Sequence, residues 1–332
     1  MLNNQNISQL EQQIFAVNEQ NFTTIALKVF QFQAQNNAVY KKYLESLNIN
    51  PLRISSLNKI PFLPIEFFKS HKIVSGCQEP EICFLSSATT SGIQSKHYVL
   101  KQDLYYKSFK KCFELFYGDI SNYVVLALLP SYLEREGSSL ILMAEDLIKN
   151  SNSELSGFFL NNHTELIESI NKAKQQQKKI LLLGVSFALL DLAENHQLDL
   201  SDVIIMETGG MKGKRKELVR EELHQLLCES FKTKAIHSEY GMTELLSQAY
   251  SKGNGIFETP PWMRVLIRET TDPFHFVENE KTGGINVIDL ANLYSCSFIA
   301  TQDLGKSLNN KKFSVLGRFD NSDVRGCNLM VM

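Results

Sequence analysis

Apolar positions recur at helical spacing from the start of the chain. Ile7, Leu10, Ile14 and Val17 fall on one face of a helix over 7–17, with Gln and Asn opposite. A second amphipathic helix is predicted over 22–35, and residues 48–51 break the pattern. Two prolines, Pro61 and Pro64, then force an extended path through the aromatic cluster of 60–72. Beyond it, short apolar runs alternate with helix-period segments. The runs predict strands at 82–85, 98–100, 123–129, 179–183, 203–206 and 233–236. The segments between them predict helices at 102–116, 138–149, 164–175, 187–195 and 214–228. Strand–helix alternation with near-continuous apolar strands implies an α/β fold, its central, mostly parallel sheet covered on both sides. From about Trp262 the helical signal ends, and 263–267, 284–289, 296–300 and 312–315 predict a smaller β region.

Composition narrows the class. The chain has 332 residues, 43% hydrophobic and 21% charged, enough for a large core and ordinary for a globular enzyme. A net charge of −2 gives no field that would recruit nucleic acid or anionic lipid. No apolar run approaches the ~20 residues of a membrane span and no signal pattern opens the chain, so the expectation is cytoplasmic. The six cysteines form no Cys-x-x-Cys pair and have no histidines at metal-ligand spacing, which argues against a Cys/His metal site.

Chemistry concentrates at the ends of predicted strands. His237-Ser238-Glu239-Tyr240-Gly241-Met242-Thr243-Glu244 reads as a polar loop between two buried elements, suited to presenting side chains to a ligand. The run Ser86-Ser87-Ala88-Thr89-Thr90-Ser91-Gly92, closing on Lys96, offers backbone N–H groups, hydroxyls and a cation to a polyphosphate. No Gly-x-x-x-x-Gly-Lys-Ser/Thr is present, which excludes a P-loop NTPase. Gly184-Val185-Ser186-Phe187-Ala188 nearly spells a nucleophile elbow and keeps open a serine acyltransferase or hydrolase centred on Ser186. Gly209-Gly210 would let a flat ring approach the backbone. Asp303 and Arg318 fit a structural ion pair as readily as a ligand site.

Taken in order, these segments resemble the adenylate-forming superfamily, which includes acyl-CoA synthetases, peptide-synthetase adenylation domains and firefly luciferase. Within it the likeness is greatest to the LuxE-type acyl-protein synthetase family, on Phe62-Leu63-Pro64, Phe68-Lys69-Ser70-His71, Thr208-Gly209-Gly210-Met211-Lys212-Gly213 and Tyr240-Gly241-Met242-Thr243-Glu244. The resemblance implies that Ser86, Ser87, Thr89, Thr90, Gly92 and Lys96 hold the β- and γ-phosphates of ATP. It implies that Gly209, Gly210, Tyr240 and Gly241 line the adenine, that Thr243 touches the α-phosphate and that Glu244 holds Mg²⁺. Asp303 would accept the ribose hydroxyls and Arg318 would reach the same sugar. Tyr132, Arg135, Ser186 and His237 would surround the acyl pocket. Three positions depart from the pattern: Ala88 and Gln302 stand where glycine is usual, and Ser91 precedes Gly92.

The resemblance further implies one large domain over 1–316, with a helical part at 1–50 and the β region at 262–316, followed by a hinge and short tail at 317–332. Ordinary CoA ligases continue past this hinge, so the C-terminal swinging domain is expected to be absent. The expected reaction joins a carboxylic acid, most simply a fatty acid, to AMP and passes the acyl group to a thiol. Cys327 or a partner's cysteine would receive it, and an acyl-accepting protein or an acyl-CoA reductase would be the partner. Two alternatives stay open: the Ser186 acyltransferase, and a non-catalytic nucleotide- or acyl-binding subunit.

Overall fold

Residues 123–128, Tyr-Val-Val-Leu-Ala-Leu, carry no charge and are buried along their whole length. Such a strand is stable only with both faces covered, and it pairs in parallel with a strand on each side. The computed structural model describes residues 4–87, 93–129, 136–209, 218–309 and 311–319. In chain order the strands are β1 Leu63–Pro64, β2 Ile82–Leu85, β3 Lys96–Val99, β4 Tyr123–Leu128, β5 Gly157–Phe158, β6 Lys179–Val185 and β7 Ile204–Thr208. They continue with β8 His237–Tyr240, β9 Ala249–Ser251, β10 Ile256–Glu258, β11 Met263–Arg268, β12 Thr282–Asp289, β13 Phe298–Ser307 and β14 Lys312–Arg318. The α-helices are α1 Asn4–Ile14, α2 Phe22–Asn36, α3 Ala38–Ser46, α4 Phe67–Ser70, α5 Gln102–Tyr117, α6 Ser139–Asn150, α7 His163–Gln175, α8 Ser186–Asn195 and α9 Arg220–Phe231.

Twelve of these strands form one sheet in the order β11-β12-β13-β14-β10-β9-β8-β7-β6-β4-β5, with β1 paired to β13. From β5 to β8 every pairing is parallel, and from β8 to β11 every pairing is antiparallel. The expected parallel α/β core is therefore present. The β region expected after Trp262 is not set apart from it, because β9, β10 and β14 carry the ladder across. Burial distinguishes the two halves. β4 is buried throughout, whereas β11 alternates strictly between buried and half-buried positions, as a one-sided antiparallel strand does. One continuous body of buried apolar side chains runs from Leu10 in α1 to Phe313 in β14.

Beyond the short unanticipated elements β1, α4, β5, β9 and β10, and an α1 that ends at Ile14 rather than at 17, element positions differ from the sequence expectation in three places. The strand expected at 233–236 lies at His237–Tyr240 instead. Lys232 adopts the left-handed region (φ 55°) to end α9, and Thr233 N–H bonds the Cys228 carbonyl, so this run is spent leaving the helix. Half of the stretch read as a loop is thus strand. An unanticipated helix, α3, starts at Asn37, whose side chain caps it by accepting Tyr40 N–H at 3.0 Å. Finally, α9 begins at Arg220, and the earlier part of its expected span falls mostly outside the described residues.

Candidate active site

The parallel strands β6, β7 and β8 end together at Val185, Thr208 and Glu239–Tyr240, and ligands of open α/β sheets bind outside such carboxyl ends. Tyr240 is buried against Phe257 and Phe313, and its hydroxyl donates to Asp303 Oδ2 at 2.8 Å. Asp303 pairs in register with Arg318 across β13 and β14, and Arg318 Nε faces Asp303 Oδ1 at 3.3 Å. The guanidinium is 75% exposed while the carboxylate is 11% exposed, so the pair stands at the rim with the acid inward. Arg268 fixes β13 from behind by donating to the Thr301 carbonyl at 2.6 Å. It lies across Gly284, where a Cβ would come 2.5 Å from its guanidinium carbon.

The turn after β8 carries Thr243 and Glu244, and buried polar groups hold it. Asp289 accepts Leu246 N–H and Ser247 N–H, both at 2.9 Å, the Ser247 hydroxyl at 2.6 Å and Ala291 N–H at 3.0 Å. Asn292 donates to the Glu244 carbonyl at 2.8 Å. His97 of β3 is buried with Nδ1 2.9 Å from the Thr243 carbonyl and Nε2 2.8 Å from Ser295 Oγ. Burial lowers its pKa to about 4, so the ring is neutral at neutral pH. The Glu244 carboxyl is 6% exposed and hydrogen-bonded to Ser95; burial raises its pKa, with Arg318 and Asp303 close enough to act on it electrostatically.

The two ends of the hydroxyl-rich run come together beneath this turn. Ser86 N–H bonds the Ser95 carbonyl at 3.1 Å and Ser86 Oγ accepts Ser95 N–H at 2.9 Å. Ser86, Ser95 and Glu244 therefore form one bonded set, and Tyr240, Asp303 and Arg318 form a second within electrostatic reach of it. Ser87 is exposed at the edge of the described run, and Lys96 is exposed on the hairpin face opposite Ser95 and His97. Thr89, Thr90, Gly92, Tyr132, Arg135, Gly210 and Cys327 lie outside the described residues.

Ser186, the first residue of α8, is 2% exposed and turns its hydroxyl to Glu207 Oε1 at 2.6 Å and to the Gly209 carbonyl. A serine nucleophile needs a base to accept its proton, commonly an imidazole. Here the carboxylate stands between, with His224 Nε2 3.9 Å from Glu207 Oε2. Gly184 is glycine for packing: a Cβ there would lie 2.9 Å from the Leu189 side chain. This segment is built to support Gly209.

Glu207 and Thr208 point to opposite sheet faces. Ser186 joins the Glu207 side. On the other side Thr208 Oγ1 donates to Glu239 Oε2 at 2.6 Å, and His237 Nδ1 meets the Tyr117 hydroxyl at 3.1 Å. His237 and Ser186 do not share one lining. Burial raises the Glu239 pKa to about 7 and the nearby Glu207 adds to it, against the opposing Thr208 bond. Gly241 leaves room for this acid, since a Cβ there would lie 2.2 Å from Glu239 Oε1.

Among the described residues no three His, Cys, Asp or Glu side chains gather as a metal cage. Glu244 suits the kind of ion that arrives with phosphate oxygens, because Mg²⁺ commonly takes only one or two carboxylates from the protein. Ser95, His97, Asp289 and Asn292 were not singled out by the sequence. Their signal was weak: one inward-facing pair on a short strand, and an Asp-x-x-Asn turn.

No family model matches the chain. It is similar to the long-chain-fatty-acid–luciferin-component ligase of Vibrio harveyi, at 24% identity over 310 residues, covering 83% of this chain and 76% of that protein. Among solved structures it superposes on an open conformation of 2-hydroxyisobutyryl-CoA ligase in complex with 2-HIB-AMP and CoA. That match has a TM-score of 0.62 at 12% identity, covering 90% of this chain and 70% of the ligase. The fold is that of the adenylate-forming ligases. ATP-bound MatB from Rhodopseudomonas palustris matches with TM-score 0.53 and 15% identity over 71% of this chain. The chain spans about half of MatB, 47% of its length. On this adenylate-forming fold, no helix among the described residues is long and apolar enough to cross a membrane.

Proposed function

We propose that the chain activates a carboxylic acid with ATP and transfers the acyl group to a thiol. The substrate carboxylate attacks the α-phosphorus, the bond to the β-phosphate breaks, and pyrophosphate leaves. A thiolate then attacks the acyl carbon, the bond to AMP breaks, and a thioester forms. The observation that carries this reading is the pairing of Ser95–Glu244 with Tyr240–Asp303–Arg318 within electrostatic reach, two acids, a guanidinium and a buried phenol at the carboxyl end of β8. In it Asp303 and Arg318 would hold the ribose, and Tyr240 and Gly209–Gly210 would flank the adenine. Glu244 would hold Mg²⁺, which neutralises phosphate charge when bound with ATP. Lys96 and the hydroxyl run around Thr89, Thr90 and Gly92 would face the departing pyrophosphate. A fatty acid is the substrate class we favour, with Cys327 or a partner's cysteine as acceptor and an acyl-CoA reductase as a fitting partner.

Exchange of labelled pyrophosphate into ATP, driven by a panel of straight-chain acids, tests the first step. Wild-type protein should catalyse it and Glu244→Ala should not, while Ser186→Ala should leave it measurable. Retained exchange in Glu244→Ala, or its loss only in Ser186→Ala, overturns the reading. Covalent acyl label released by neutral hydroxylamine and lost in Cys327→Ser would identify the carrier; unchanged labelling excludes Cys327.

A further inference from the structure

Strand alternation sends Ser95 and His97 to the same face of β3, with Lys96 to the other. These two inward side chains meet consecutive residues of the turn. Ser95 bonds the Glu244 carboxylate, and His97 bonds the Thr243 carbonyl at 2.9 Å. A carbonyl oxygen can only accept, so His97 Nδ1 carries the proton. Nε2 is then the acceptor and takes the Ser295 hydroxyl proton at 2.8 Å. Ser295 is itself held, its carbonyl accepting Asn37 Nδ2 at 2.9 Å. The ring packs edge-on against Phe68, with centroids 5.5 Å apart, so it cannot swing away without opening the core. The imidazole ties β3 to the turn bearing Glu244 and, through Ser295, to Asn37 at the start of α3.

Building on the function proposed above, we propose that His97 is a positioning residue for Glu244, fixing the Thr243–Glu244 backbone so that the carboxylate meets the Mg²⁺ of the nucleotide in one geometry. It touches neither ATP nor substrate. Its contribution should appear in the Mg²⁺-dependent part of nucleotide binding and in turnover, rather than in ATP affinity as such.

The test measures binding of the α,β-methylene analogue of ATP with Mg²⁺ and with EDTA, in wild type, His97→Phe, His97→Asn and Ser295→Ala. Asparagine keeps an N–H near the place of Nδ1, whereas phenylalanine fills the space without it. Wild type should gain at least about tenfold in affinity from Mg²⁺. His97→Phe should lose that gain while staying folded and keeping its EDTA affinity, with a Tm lowered by the stranded Thr243 carbonyl, and its pyrophosphate exchange kcat should fall ~100-fold, the scale of an ångström misplacement. His97→Asn should recover most of the gain, and Ser295→Ala, the milder change should His97→Phe fail to fold, should lose part of it. A folded His97→Phe that keeps the full gain overturns the inference and leaves the adenylation reading intact. Absence of any Mg²⁺ gain in wild type, together with absence of exchange, removes both.

Discussion

Tyr240 donates its hydroxyl proton to Asp303 across 2.8 Å, which joins the last residue of a parallel strand to the middle of an antiparallel one. The bond is buried and its acceptor is also the partner of Arg318, so it ties the two halves of the sheet at the rim where the candidate site lies. The site is thus a seam, and its integrity depends on contacts between residues far apart in sequence.

Removing that hydroxyl should be felt in both stability and binding. Tyr240→Phe should lower unfolding free energy by about 1 kcal/mol, the usual net worth of one hydrogen bond. Asp303→Ala should cost more, about 1–3 kcal/mol, because it removes the acceptor of the buried phenol. Urea unfolding measures both. If the pair serves the nucleotide, each variant should also weaken ATP binding; Asp303→Ala with unaltered affinity would assign the pair to structure alone.

Glu239 makes stability depend on pH in a direction opposite to that of most carboxylates. Its folded pKa of about 7 lies above the 4.5 ordinary for a glutamate, so between these values the folded state holds the proton that the unfolded state has released. Stability from this group is complete below the unfolded pKa and is lost as pH rises through about 7. Glu239→Gln cannot ionise, and its urea midpoint should fall less than the wild type's between roughly pH 5 and 7.5.

Gly241 and Glu239 should be coupled. Gly241→Ala would place a Cβ 2.2 Å from Glu239 Oε1, and the Thr208 bond resists moving the acid aside. A loss of about 1–3 kcal/mol is expected in the wild-type background. In Glu239→Ala the same change should cost clearly less, an interaction that a double-mutant cycle reads directly.

Asp289 anchors the Glu244 turn by three accepted bonds and accepts a fourth from Ala291 N–H, and burial raises its pKa to about 6. Asp289→Ala strands several buried donors at once and should cost about 3 kcal/mol or more. Lost near-ultraviolet dichroism or a lowered Tm would accompany it. A variant as stable as wild type would mean that water or a rearranged turn replaces the carboxylate.

Much of this molecule is readable along the chain because its physics is local. The unbroken apolar run at β4 and the helical period of α5 and α7 each meet a burial requirement within a few residues, and their positions match the pattern closely. At β8 that logic fails. A polar His-Ser-Glu-Tyr has no strand signature, and it pairs because β7 lies beside it, while the more apolar 233–236 serves the exit from α9. The same holds for His97, whose neighbours Thr243 and Ser295 are 146 and 198 residues away.

The amino-acid order alone determined the α/β class, most of the helices and strands, and the set of loops in which Tyr240, Glu244, Asp303 and Arg318 stand out. Tertiary structure decided that the antiparallel strands extend the parallel sheet. It also decided that Asp303 receives both Tyr240 and Arg318, and that His97 and Asp289 hold the turn carrying Glu244. Periodicity records which face a residue turns to the core, but a hydrogen bond between distant strands depends on register, which no local pattern encodes.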